Sequence, residues 1–204
     1  MIKNKGIFSN ISHSVILGLV ESGCHVLDLG CGAGELLKTL SLEKNVKGSG
    51  VEIDENQVIA CLKKGLSVVH GNIDEGLKVY PDNSYDYVIL NQTLQAVYNI
   101  EGLLKEMLRI GRKVIVGIPN FAHWRIRMAI FFRGRLPITR TLSSEWYNTP
   151  NIRIVTVKDF KTICNKLNIR ICQKYFMANN KTLTPFGNLM PNLFCENALF
   201  VLEK

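Results

Sequence analysis

Three alternate glycines, Gly30, Gly32 and Gly34, follow an apolar run, Val26-Leu27-Asp28-Leu29, that itself carries a carboxylate. Glycines there remove Cβ atoms where backbone must come close to a ligand, and the helix that follows offers unpaired N–H groups. The competing reading, that the turn merely allows tight strand-to-helix packing, is the weaker one for three alternate glycines directly after an apolar strand. The spacing discriminates between ligands. A dinucleotide fingerprint places its third glycine one position further along, where this chain has Glu35. A carboxylate beside a pyrophosphate is repulsive, whereas beside a sulfonium and an amino group it is attractive. The residues therefore predict S-adenosylmethionine, or its demethylated product S-adenosylhomocysteine, with Asp28 reaching the methionyl ammonium and Gly30, Cys31, Gly32 and Gly34 lining the turn.

Further polar groups recur at the ends of the next apolar runs. Glu52, in Gly50-Val51-Glu52-Ile53-Asp54, is placed to accept both ribose hydroxyl protons, although Asp54 could do so instead or cap the next helix. Asn72 and Ile73 are placed to bond the adenine amino group and pack on its ring, with Asn72 as an ordinary turn residue the competing reading. Asn91 opens the neutral string Asn91-Gln92-Thr93-Leu94-Gln95, where the methionyl end and an acceptor would lie. No Ser/His/Asp set or carboxylate pair is assignable to catalysis. Methyl transfer can proceed by alignment alone, so whether the chain is an enzyme stays open and its catalytic residues unknown. Six dispersed cysteines without a C-x-x-C pair read as small buried residues in a reducing compartment, and no Cys/His cluster has the spacing of a metal site.

Elements must hold these residues at one edge of a sheet. Buried strands are predicted at His25–Leu29, Gly48–Ile53, Leu66–His70, Tyr85–Asn91, Lys113–Ile118, Ile169–Phe176 and Ala198–Leu202. Helices are predicted at Glu35–Leu42, Glu55–Lys64 ended by Gly65, Ile100–Ile110, and from the Thr156/Asp159 capping pair to Leu167. The alternation implies an α/β Rossmann-like fold, a seven-stranded and mostly parallel sheet with helices on both faces and a terminal antiparallel pair. With no repeat or linker, residues 1–204 read as one domain carrying an inserted basic amphipathic segment near 121–150.

Charge is divided along the chain. Residues 1–106 carry 9 Lys/Arg against 13 Asp/Glu (net −4) and residues 107–204 carry 16 against 4 (net +12). The densest basic stretch holds Arg125, Arg127, Arg133, Arg135 and Arg140 with no acid, interleaved with Ile126, Met128, Ile130, Phe131 and Phe132. That pattern suits a helix docking on protein or acting as a lid; core packing and nucleic acid are the competing readings. An Asn-Pro-Pro-Tyr type signature of amino-directed methylation is missing after the fourth strand, which disfavours nucleic acid. No apolar run approaches the roughly 20 residues of a membrane span, and Met1–Gly6 lacks the apolar region of a secretory signal, so a cytoplasmic location is expected.

Several strings together resemble one family, the methionine biosynthesis protein MetW, a branch of the class I S-adenosylmethionine-dependent methyltransferase fold. Val26–Gly34 and Gly50–Asp54 are shared with many methyltransferases; Gln92–Ala96, Pro119–Arg125 and Trp146–Ile152 are particular to this branch. The resemblance also covers Pro81–Leu90, Glu106–Arg112 and Arg133–Arg135. It implies a protein of methionine synthesis that acts with or regulates homoserine O-acetyltransferase, the alternative being a methyltransferase of an unidentified small molecule. Asn72 departs from the family, in which Asp is usual, and so binds without charge assistance.

Overall fold

The central strand runs Tyr87–Leu90 and Val114–Ile118 are apolar on both faces because helices cover them on both sides. In the computed structural model, which describes residues 5–139, 142 and 144–204, the elements run α1 (Lys5–Leu19), β1 (His25–Leu29), α2 (Glu35–Lys44), β2 (Lys47–Glu52), α3 (Glu55–Lys63), β3 (Ser67–His70), β4 (Tyr85–Asn91), α4 (Ile100–Ile110), β5 (Gly111–Pro119), α5 (Trp124–Arg133), α6 (Val157–Lys166), β6 (Arg170–Ala178), β7 (Lys181–Thr182), α7 (Pro185–Leu189), α8 (Pro191–Phe194) and β8 (Asn197–Glu203). Met1–Asn4 and Arg140 lie outside the described residues.

The strands form one sheet in the order β3-β2-β1-β4-β5-β8-β6-β7. β1 to β5 are parallel, with Leu27 opposite Ser49 on one side and Val88 on the other, whereas β8 is antiparallel to both β5 and β6. The sheet has eight strands where the sequence predicts seven. The extra one is β7, two residues long, returned onto β6 by Asn179-Asn180, both at positive φ, in the geometry that asparagine tolerates in a tight hairpin.

Alternate side chains enter two cores. Leu27, Val88, Leu90, Val114 and Val116 face α4 and α6, packing with Leu104, Met107 and Phe160. Val26, Tyr87, Ile89 and Ile115 face the other way, onto Ile16 and Val20 of the α1 end and Leu37 and Leu40 of α2. The α1 helix is absent from the sequence prediction. Its apolar spacing at Ile11, Val15, Ile16, Leu19 and Val20 was available, but no acidic residue marks its first turn. Five of the six cysteines are buried or half-buried as expected; Cys172 is exposed, on the register irregularity of β6, where one extra residue turns it out of the pleat.

Candidate functional site

The strand order reverses between β1 and β4, and a ligand of an open α/β sheet sits at the carboxyl ends of the strands beside such a point. The glycine turn lies there, and its glycines do different work. A Cβ on Gly30 would meet Thr93 Cγ2 at 2.5 Å, and one on Gly34 would meet Leu66 and, at 2.8 Å, Cys61 Sγ. Those two are demanded by packing. Gly32, at φ +54, would place a Cβ in open space with nothing within 4 Å. Only at Gly32 does the turn leave its Cβ side clear for another molecule.

The Gly32 peptide is clamped at both ends. Its N–H donates to Glu52 Oε2 (2.8 Å) and its carbonyl accepts from Cys61 Sγ (3.1 Å). The other Glu52 oxygen accepts from Ile53 N (2.9 Å) and Asp54 N (3.0 Å), so a carboxylate only 8% exposed ties the β2 end to the turn. Three of its roughly four acceptor positions are filled, which leaves one toward solvent or ligand. Asp54 caps α3, accepting from Asn56 N and Gln57 N, and is thereby committed to the role the sequence left open between cap and ribose contact. Gly30 N and Cys31 N both donate to Val51 O, and the Lys64 ammonium donates to Ala33 O (2.6 Å), which completes the frame.

Asp28 has no such partners. Its side chain is 3% exposed, and no donor among the described residues reaches its carboxyl group. Burial first, and then the neighbouring charge of Glu52, push its pKa up to about 7. A carboxyl group left in this condition at the head of an open turn is stabilised by any cation that reaches it.

The remaining candidates flank this centre. Ile53 is 63% exposed at the end of β2, and Ile73 is half-buried against the core beyond β3. Asn72 acts as the turn residue, its Oδ1 accepting from Asp74 N (3.0 Å) and its Nδ2 donating to Glu75 (3.2 Å). Asn91 Nδ2 donates to Ser12 Oγ (3.3 Å), while its Oδ1 and the Oε1 of Gln95 are buried without a partner among the described residues. Between them Gln92 holds φ +59, a strained value for a residue with a Cβ. The backbone carbonyl of Gln95 accepts from Ile152 N and Arg153 N, so the irregular segment before α6 is tied down over the end of β4.

Sequence reasoning missed α1 and therefore His13. That helix brings Ser12 against Asn91 and His13 within electrostatic reach of Glu35, directly after the turn; burial holds the imidazole below its ordinary pKa, hence neutral at pH 7. A cleft of about 370 Å³ opens at the opposite, amino-terminal edge around His25, Lys47 and Tyr85 and shares no residue with this site.

Beyond β5, Pro119–Arg125 turns out to contain a structural hinge pin. Asn120 is fully buried, its amide donating to Asn192 O and Cys195 O and its oxygen accepting from Ala122 N and Val157 N. It locks the start of α5 to α6 and β8. The α5 helix buries only Ile126; Phe131 and Phe132 are 80% and 71% exposed, so the basic segment is not core.

The profile of a family described as "Methionine biosynthesis protein MetW" matches residues 11–202. A bifunctional methionine biosynthesis protein MetXA/MetW of Rhodopirellula baltica is 34% identical over 206 residues, 96% of this chain but only 33% of that one. A demethylmenaquinone methyltransferase of Shouchella clausii is 32% identical over 143 residues, 63% of this chain and 60% of that one. The chain thus spans a third of the first relative and less than two thirds of the second. An S-adenosylmethionine dependent methyltransferase from Mesorhizobium loti superposes with a TM-score of 0.71 at 14% identity, covering 98% of this chain and 100% of that one, so the class I methyltransferase fold is shared.

Proposed function

The chain belongs to the MetW family of methionine biosynthesis proteins, and we propose that it binds S-adenosylmethionine at the Gly32 turn and thereby regulates, or acts together with, homoserine O-acetyltransferase. The observation that carries the cofactor assignment is Asp28, a buried carboxyl group without a partner among the described residues, close in the chain to the glycine of the turn whose Cβ side is open. The methionyl ammonium satisfies Asp28, the ribose hydroxyls take the remaining acceptor position of Glu52, and Ile53 and Ile73 offer apolar cover to the base. Asn91 and Asn72 complete the polar rim, and Cys31, its backbone held within the frame, lines the turn. When bound, the group supplies an electrophilic methyl on a cationic sulfur.

The partnership rests on other features. In the Rhodopirellula relative, MetXA and MetW share one polypeptide, an arrangement that keeps two modules at high effective concentration. In this chain α5 presents Phe131 and Phe132 among arginines, a surface suited to an acidic, apolar-centred patch on another protein. The cofactor sensed is built from the pathway's own product, so occupancy of the turn reports its supply.

Calorimetric titration with S-adenosylmethionine, S-adenosylhomocysteine and NAD tests the first part; binding of NAD alone overturns it. Co-purification with the acetyltransferase, lost on replacing Arg133 and Arg135 with Glu, supports the second, and acetyltransferase kinetics unchanged by the protein refute it. A second reading, methyl transfer to a small molecule, is favoured by one observation, the neutral His13 that α1 brings near the turn. Labelled methyl leaving the cofactor across a metabolite panel, and lost in His13→Ala, would establish it.

A further inference from the structure

A second cleft, of about 250 Å³, opens where β6 ends and where α5 and β8 begin. Two of its walls are buried ionisable groups, Glu196 and His123, each 6% exposed. Glu196 Oε2 accepts from Asn179 N (3.1 Å), and no cation lies within ion-pair distance of that carboxylate among the described residues. His123 Nδ1 accepts the Arg125 N–H (3.3 Å), which leaves the ring proton on Nε2; burial holds the ring neutral at pH 7. Arg125 also lines the cleft, its guanidinium over the Trp124 ring at 5.4 Å and without a carboxylate partner among the described residues. The remaining walls include Leu183 and Phe194.

Residues of opposite charge, Glu196 and Arg125, therefore line one small cleft and form no ion pair with each other. A bare amine would leave Arg125 uncompensated, and a bare anion would be repelled by Glu196. A ligand carrying both charges a few bonds apart satisfies both. We propose that this cleft binds a free α-amino acid with an apolar side chain, its ammonium on Glu196, its carboxylate on Arg125 and the Nε2–H of His123, and its side chain against Leu183 and Phe194. The site is separate from the glycine turn: β4 and β5 stand between β1 and β8, three strand spacings or about 14 Å. It does not depend on what the turn binds.

Titration calorimetry of the full chain with L-leucine, L-methionine, leucinamide and N-acetyl-L-leucine tests this. Both free amino acids should bind, and each blocked form should bind about tenfold or more weakly, the loss expected for one charge-assisted contact. Glu196→Gln keeps an acceptor for Asn179 N–H; it should weaken leucine and abolish discrimination against the N-acetyl form. Arg125→Gln should abolish discrimination against leucinamide. Thermal melting separates these effects from unfolding. No binding of either amino acid by the wild type at millimolar concentrations overturns the proposal, as does equal affinity for the free and blocked forms. Binding lost in Gly32→Ala but kept in Glu196→Gln would assign the amino acid to the glycine turn and overturn it equally.

Discussion

Alanine at Gly32 and at Gly34 should produce opposite defects. Both residues have positive φ, +54 and +75, so each substitution carries the left-handed penalty of about 1–2 kcal/mol. At Gly32 that is the whole cost, because the new Cβ meets nothing within 4 Å. At Gly34 the Cβ is driven into Leu66 and to 2.8 Å from Cys61 Sγ, and overpacking of this kind adds about 1–3 kcal/mol. For a domain of this size 1 kcal/mol corresponds to roughly 2–4 °C in Tm. Gly32→Ala should therefore lower Tm by about 2–8 °C, and Gly34→Ala by distinctly more. Affinity should rank the other way. The Gly32 methyl occupies the side on which the cofactor is proposed to sit, with a loss of about tenfold or more, whereas folded Gly34→Ala keeps most of its affinity. Differential scanning calorimetry and titration with S-adenosylmethionine read the two quantities on the same samples. Wild-type affinity in Gly32→Ala would refute the reasoning, and so would a smaller Tm loss in Gly34→Ala than in Gly32→Ala.

Asp28 makes stability and binding pH-dependent. Its folded pKa of about 7 lies above the ordinary carboxylate value of 3.8, so the folded chain holds a proton that the unfolded chain has lost between those limits. Stability should fall as pH rises through that window, by up to about 4 kcal/mol, and Asp28→Asn should flatten the slope in denaturant titrations between pH 4 and 8. S-adenosylmethionine should bind the ionised form, its affinity rising with pH to a plateau above about 7 and binding at pH 6 releasing a proton; affinity independent of pH in this range contradicts the assignment. Glu52→Gln cannot serve both Gly32 N and the Ile53/Asp54 pair as a charged acceptor, and should cost about 1.5–3 kcal/mol in chemical denaturation together with cofactor affinity. Asn120→Ala leaves four backbone partners of a fully buried amide unsatisfied; a loss of about 3 kcal/mol, or roughly 6–12 °C in Tm, is expected by calorimetry with cofactor affinity retained.

Much of this architecture was legible in local pattern. Ile100–Ile110 coincides with α4 residue for residue, because its apolar positions repeat at the helical period and Asn99 and Gly111 bound it; Thr156 and Asp159 form the cap their spacing predicts. The Gly-rich turn, the carboxylates of Asp28 and Glu52 and the terminal antiparallel pairing follow from residue type and order. The roles within the turn were not legible, since Gly30, Gly32 and Gly34 look alike in one dimension and differ only in what faces the missing Cβ: Thr93, open space, and Cys61 with Leu66. Nor could sequence reveal the lock made by Asn120, whose partners lie in segments up to 75 residues away, or bring His123 and Glu196 to one cleft. Composition and period act over a few residues and set the elements and the chemistry available at their ends. Burial, and with it the raised pKa of Asp28 and the seclusion of Glu196, is a property of the surrounding fold, because it depends on which distant side chains exclude water from the group.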